Sequence, residues 1–203
     1  MNGSPNKNGC TFTALNEVAK TLNENEIETE IIQTGDKDIR GCMGCCKCDE
    51  IKRCVFDDLV NEIAAKLAEC DGIVIGSPVY YASANGSIVS LLDRLFYSTF
   101  DCDKTMKVGA AVVSARRAGC TAAFDVLNKY FTISGMPIAS SQYWNMVHGN
   151  SPEEVLKDEE GLQIMRTLGR NMAFLTKSIA LGKNKFGLPE KEQRVFTNFI
   201  NSE

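Results

Sequence analysis

Gly72-Ile73-Val74-Ile75-Gly76-Ser77-Pro78-Val79-Tyr80-Tyr81-Ala82-Ser83-Ala84-Asn85-Gly86 decides the fold. Its first five residues form a nearly all-apolar run, the pattern of a parallel strand buried on both faces. A loop follows, and then Ile88, Leu91, Leu92 and Leu95 recur at helical spacing. Strand, loop and helix in immediate succession is the unit of an α/β sheet.

The same unit repeats on both sides. Toward the N-terminus, Phe12, Leu15, Val18, Ala19 and Leu22 predict a helix over about 11–23. Ile27 to Gln33 reads as a strand, ended by Thr34-Gly35-Asp36. Asp57 or Asp58 caps a helix on which Leu59, Ile63 and Leu67 share a face. Toward the C-terminus, Lys107 to Ser114 holds a second apolar strand, and Phe124, Leu127 and Phe131 mark a helix. Met136 to Ser141 is read as a last strand leading into Gln142-Tyr143-Trp144-Asn145. Ser151-Pro152-Glu153-Glu154 combines an N-cap, a proline at the first helical position and a glutamate at N3. It opens a long helical stretch, with a break near Gly161, that runs to Leu181 and stops at Gly182. A polar tail follows over about 184–203.

Together these elements predict an α/β fold, a doubly wound parallel sheet in one domain over 1–203, with a cysteine-rich insertion at about 41–56. One element is missing. The loop at Gly3 should follow a central strand, yet only Met1 and Asn2 precede it, so the first strand is absent or truncated. Two neighbouring strands would then lack ladder partners. Residues ahead of Met1, or a partner segment, are the two expected ways to fill the gap.

Composition narrows the function. The 203 residues are 44% apolar and 24% charged, as in an ordinary globular protein. A formal net charge of -4, without a polybasic run, argues against nucleic acid as the partner. No stretch is long and apolar enough for a membrane span, and Met1-Asn2-Gly3-Ser4-Pro5 lacks the apolar core of a secretory signal, so the cytoplasm is expected. Nine cysteines, five of them between Cys42 and Cys54, suggest metal or redox chemistry in such a compartment.

Three loops carry candidate chemistry. Gly3-Ser4-Pro5-Asn6-Lys7-Asn8-Gly9-Cys10-Thr11 runs into a helix, where backbone N–H groups and the hydroxyls of Ser4 and Thr11 can hold a phosphate. An ordinary polar turn with a helix cap explains it equally well. Pro78, Val79, Tyr80 and Tyr81 follow the all-apolar strand, where ligands sit in open α/β sheets, although aromatics there can simply cover the sheet edge. Ser114, Ala115, Arg116, Arg117 and Gly119 lie in the loop after the next strand. The bland reading of that loop is a solvated turn with two surface arginines.

In combination these motifs become specific. G-S-P-x-x-N-G-x-T, then G-S-P-V-Y-Y, then Ser114-Ala115-Arg116-Arg117-Ala118-Gly119 after a strand, resemble the NADPH-dependent FMN reductase family. Tyr143-Trp144-Asn145-Met146-Val147-His148-Gly149 fits the same group. The resemblance implies a flavodoxin-like fold, with the FMN phosphate at Ser4, Asn6, Gly9, Cys10 and Thr11. It places the isoalloxazine ring between Pro78–Tyr81 and Ser114–Gly119. It also implies a homodimer or homotetramer. The arginine common in the family's phosphate loop is replaced here by Asn6.

Cys42-x2-Cys45-x2-Cys48-x5-Cys54 lets several thiolates converge on one centre. It resembles the cysteine run of bacterial ferredoxins, without its following proline. Within the flavin family it is similar to the iron–sulfur flavoproteins, which implies Cys42, Cys45, Cys48 and Cys54 as ligands of a [4Fe–4S] cluster. Redox-active or vestigial thiols, and zinc, are the other readings.

Competing enzyme classes lack their motifs. No cysteine stands six residues ahead of Arg53, Arg94, Arg116 or Arg117, as a phosphatase loop needs, and no G-x-S-x-G accompanies the single histidine, His148. The sequence therefore predicts an FMN-dependent NAD(P)H oxidoreductase that passes electrons to a small-molecule or protein acceptor, in one variant through the cluster. The alternatives are a non-enzymatic electron carrier between ferredoxin-like partners and a flavin-free interaction module.

Overall fold

Alternation along one strand sorts the core into two layers. β3 (Val108–Ala115) sends Val108, Ala110 and Val112 to one face of the sheet and Ala111 and Val113 to the other, all fully buried. The first face packs on α1 (Cys10–Glu24) and α7 (Glu159–Phe186) through Leu15, Val18, Ile164 and Leu168. The second packs on α3 (Leu59–Glu69), α4 (Gly86–Ser98) and α5 (Cys120–Ile133) through Leu67, Leu91, Leu95 and Phe131. Helices cover both sides, as a parallel sheet with apolar strands requires. The computed structural model describes residues 1–197 and 199.

β1 (Gly72–Tyr80) pairs in parallel with β3, and β3 pairs in parallel with β4 (Met146–His148). A two-residue strand, β2 (Ser83–Ala84), folds back antiparallel on the end of β1. On the other side of β1, Met1 and Asn2 form the stub of a first strand. Asn2 bridges Gly76 on one side and Gln33 on the other, both in parallel. Met1 and Asn2 thus take the central place that the sequence reserves for the first strand, but for two residues only.

Two expected strands are corrected, the first by that shortness. Ile27–Gln33 runs extended alongside the stub, yet no ladder forms beyond the single bridge at Gln33, because the strand that would pair with it is too short. Met136–Ser141 touches the sheet only where Ile138 bridges Gly109, and the paired segment is Met146–His148 instead. Asn145 settles this shift: its main chain accepts from Val113 N at 3.0 Å, and its buried side chain donates to Ala111 O at 3.1 Å.

Two helix boundaries also differ. The break falls at residues 156–158, between α6 (Pro152–Val155) and α7, because Asp158 caps the second helix through Gly161 N at 2.9 Å. Gly182 does not end α7, which runs to Phe186 and stops at Gly187, where φ is 77°. The expected tail therefore begins later, and its residues 198 and 200–203 lie outside the described residues. No described helix is long and apolar enough to cross a membrane. The cysteine segment contains only a short helix, α2 (Lys47–Ile51), flanked by Cys46 and Lys52 in the left-handed region.

Candidate functional site

The loop from Gly3 to Gly9 is shaped by buried polar side chains. Asn2 Oδ1 accepts from Ser4 N at 3.2 Å, and Gln33 Nε2 donates to Ser4 O at 2.7 Å. Ser4 Oγ accepts from Asn6 N at 3.2 Å, and Gly9 N donates to Asn6 O at 3.1 Å, which curls the loop over the start of α1. Gly9 caps α1 without a side-chain bond, and the first turn holds no acidic residue. The leading N–H groups of that turn point out of the helix, an arrangement suited to an anion. Burial pushes the Cys10 thiol up, so at neutral pH it adds no negative charge there.

The three strand-end loops meet. Thr11 Oγ1 and Ser114 Oγ, both buried, share a 2.8 Å hydrogen bond that ties the first loop to the third. Asn85 ties the second to the first: its Nδ2 donates to Gly3 O at 2.9 Å while its Oδ1 caps α4 at Ser87 N. Gly119 brings the third against the second, since a Cβ there would stand 2.8 Å from Ala82 Cα. Its φ of 96° also favours glycine. Gly149 N bonds Ala115 O, which adds the segment after Trp144 to the same end of the sheet.

This end carries exposed aromatics. Tyr80, Tyr81, Tyr143 and Trp144 are about half exposed or more, and Tyr81 is fully so. Tyr81 and Ala82 form the two-residue turn between β1 and β2, both at positive φ, 50° and 58°. Pro78 and Val79 line the base of this turn, half-buried. Arg116 and Arg117 are exposed on the third loop. His148, also exposed, has its main chain held by Asp158 Oδ2 at 2.6 Å and its ring 3.9 Å from Cys120 Sγ.

The cysteines gather elsewhere, against the C-terminal half of α4. Cys42, Cys45, Cys48 and Cys54 line one pocket together with Cys46 and Arg94. Cys48 and Cys54 are buried, whereas Cys42 and Cys45 are exposed at its rim. Among the described residues no three donors come within the span of a single metal ion. The donor set itself, four thiols about one pocket, suits the chemistry of an iron–sulfur cluster, whose core is larger than one ion.

Cys54 is the most firmly placed of them. Asn61 clamps its main chain from both sides, accepting from Cys54 N at 3.0 Å and donating to Cys54 O at 3.1 Å. Arg94, 2% exposed, donates from Nε and Nη2 to Cys54 Sγ, each at 3.2 Å. The same guanidinium pairs with both oxygens of Asp58 at 2.8 and 2.9 Å. The guanidinium carbons of Arg40 and Arg94 lie 4.7 and 5.0 Å from the centroid of the Phe56 ring. Burial pushes the Cys48 thiol up, with Asp49 adding to it.

Sequence reasoning passed over Asn2, Gln33, Asn85, Asn61 and Arg94. The only signal for Arg94 was its place on the buried face of α4, between Leu91 and Ser98 at helical spacing.

A family model described as NADPH-dependent FMN reductase matches residues 1–151. An iron-sulfur flavoprotein of Methanocaldococcus jannaschii is 32% identical over 186 residues, which is 88% of this chain and 96% of that protein. A flavodoxin from the domain Archaea superposes with a TM-score of 0.56 at 15% identity, over 82% of this chain and 90% of that one. RosB, solved with a bound 8-demethyl-8-formylriboflavin-5'-phosphate intermediate, superposes with a TM-score of 0.63 at 12% identity, over 96% and 86%. The likeness to the flavodoxin establishes the flavodoxin-like fold.

Proposed function

The chain belongs to the NADPH-dependent FMN reductase family of flavin-dependent oxidoreductases, and from that premise we propose that it oxidises NAD(P)H on FMN held by the three joined loops. The observation that carries this reading is the meeting of the loops, above all the Thr11–Ser114 and Asn85–Gly3 hydrogen bonds.

In this reading the amides of the first turn of α1, with Ser4, Asn6, Gly9, Cys10 and Thr11, hold the phosphate. Pro78, Val79, Tyr80 and Tyr81 cover one side of the ring, and Ser114, Ala115 and Gly119 approach it from the other. Arg116 and Arg117 are exposed at the entrance and attract the phosphates of the nicotinamide donor. Bound FMN supplies the hydride-accepting chemistry, so no side chain needs to act as acid or base. The exposed aromatics at this end are the face on which a second copy would complete the site.

Cys42, Cys45, Cys48 and Cys54 would hold a [4Fe–4S] cluster, which supplies one-electron transfer when bound. The cysteine pocket and the iron-sulfur flavoprotein relative support a second reading, an electron carrier that never meets NAD(P)H. Anaerobic purification, an absorption spectrum, and iron and sulfide analysis test the cofactors. Steady-state oxidation of NADH and NADPH with a quinone or ferricyanide then separates the readings. Turnover supports the reductase; flavin bands without turnover, together with cluster reduction by ferredoxin, support the carrier. Colourless protein that ignores added FMN would sink both.

A further inference from the structure

All the N–H donors of Arg94 are engaged inside the protein, and two of them meet one sulfur. Nε and Nη2 donate to Cys54 Sγ, Nη2 and Nη1 to the two oxygens of Asp58, and Nη1 to Arg40 O at 3.4 Å. The partners are themselves fixed. Asp58 caps α3 through Val60 N at 3.1 Å, and Asn61 of the same helix holds the Cys54 main chain. Two helices, α3 and α4, thus set both ends of the N–H···S contacts.

Stability is a weak reason for such a group. A buried ion pair is often no better than apolar side chains of the same volume. Leu91 and Leu95, also buried on α4, show what such positions otherwise carry. The chemistry that the donors face is a stronger reason. Cys54 is one of the four thiols already placed about the cysteine pocket. Hydrogen bonds to ligating sulfurs are among the factors that set an iron–sulfur potential. An added electron puts more negative charge on those sulfurs, and charge-assisted donors stabilise that form more than the oxidised one.

We propose that Arg94 tunes the cysteine pocket toward reduction, its two N–H···S contacts raising the reduction potential of the cluster held there. The inference rests on the cluster reading above and adds to it the residue that decides how readily the pocket takes an electron. Asp58 sets the limit of the effect. Its carboxylate offsets the guanidinium charge, so the sulfur meets directed N–H dipoles more than a free cation. Arginine stays protonated at any working pH, and lysine would supply the charge without the planar fork.

The test is an EPR-monitored redox titration of the full chain, reconstituted anaerobically, with iron and sulfide counted in every sample. Arg94→Gln is expected to make the one-electron reduction at least tenfold less favourable at a fixed potential, a downward shift of about 59 mV or more. Arg94→Lys should recover less than half of that shift. Asp58→Asn keeps Arg94 and its sulfur contacts but removes the offsetting charge, so its potential should rise above the parent's. A merely structural Arg94 would lower the iron content and leave the potential of the iron-bearing fraction unmoved, and that result overturns the proposal. If the arginine variants hold no iron, Asp58→Asn decides, and an unchanged or lower potential there overturns it as well. The flavin couple, read in the same titration, should stay at the parent value; a matching shift would make the effect global and sink the assignment to Cys54. A parent without iron and sulfide fails one step earlier, at the cluster reading itself. It takes this inference with it, and is recognised before any potential is measured.

Discussion

Arg94 shows how one buried charge can organise a site. Its guanidinium is committed to Asp58 and to Cys54 Sγ at once, with almost no access to water. Removing it strips the donors from the buried Cys54 and from Asp58, whose side chain is 31% exposed and can turn to water, a loss of about 1–3 kcal/mol. Arg94→Gln is therefore expected to lower urea-unfolding stability by about that amount and to reduce the iron retained on reconstitution. A loss below about 1 kcal/mol would place the pair among ordinary surface bridges. Met1 offers a second test, through pH. Burial lowers its α-amine to about 5 from an ordinary value near 8. Between those values the unfolded chain binds a proton that the folded chain does not, so stability falls as pH drops from 8 to 5 and this contribution levels off below. One pKa unit is worth about 1.4 kcal/mol, so the full span approaches ~4 kcal/mol. Urea titrations of the free and Nα-acetylated 203-residue chain at pH 8, 6.5 and 5 should diverge as pH falls. Parallel curves would show that the amine reaches water.

The turn after β1 is strained in a way that points to use. Two-residue hairpins with both central residues at positive φ favour Asn-Gly, but this chain places Tyr81 and Ala82 there. Each non-glycine residue in that region costs about 1 kcal/mol. Ala82→Gly should raise stability by about 1 kcal/mol in chemical denaturation, whereas a loss would mean that the Ala82 methyl packs against the third loop. No turn signal marks this hairpin in the sequence, so β2 was not foreseen. The strands that periodicity did reveal, Gly72–Gly76 and Val108–Val113, have helices packed on both faces, with Val108–Val113 fully covered and Ile73 and Val74 half-buried. Ile27–Gln33 and Met136–Ser141 carry strand-like residues as well. Their ladders depend on neighbours, a two-residue stub and the Asn145 clamp, that local pattern does not encode. The same distinction governs the site. Loop motifs single out Ser4, Thr11 and Ser114 as candidates, but the tertiary bonds of Asn85, Gln33 and Arg94 come from residues far away in the chain.

At the scale of the molecule, the phosphate-type turn and the cysteine pocket are two separate constructions on one sheet. Asn85, at the N-cap of α4, braces the first, and Arg94, two turns along the same helix, braces the second. None of the residues lining the cysteine pocket belongs to the three joined loops. Cys42 and Cys45 are exposed at the rim, so exchanging their sulfur for oxygen removes a soft ligand without opening the core. Cys42→Ser and Cys45→Ser are expected to lose most of the bound iron while holding FMN within about twofold of the parent affinity. Ligand binding to the folded state stabilises it by about 2.7 kcal/mol at a hundredfold excess over Kd, roughly 5–10 °C for a chain of this size. That thermal shift on adding FMN should be the same in the parent and in both serine variants. If instead the variants lose the shift together with their iron, the two sites share one folding unit. Helix α4 would then be the element through which the cysteine loop orders the flavin turns.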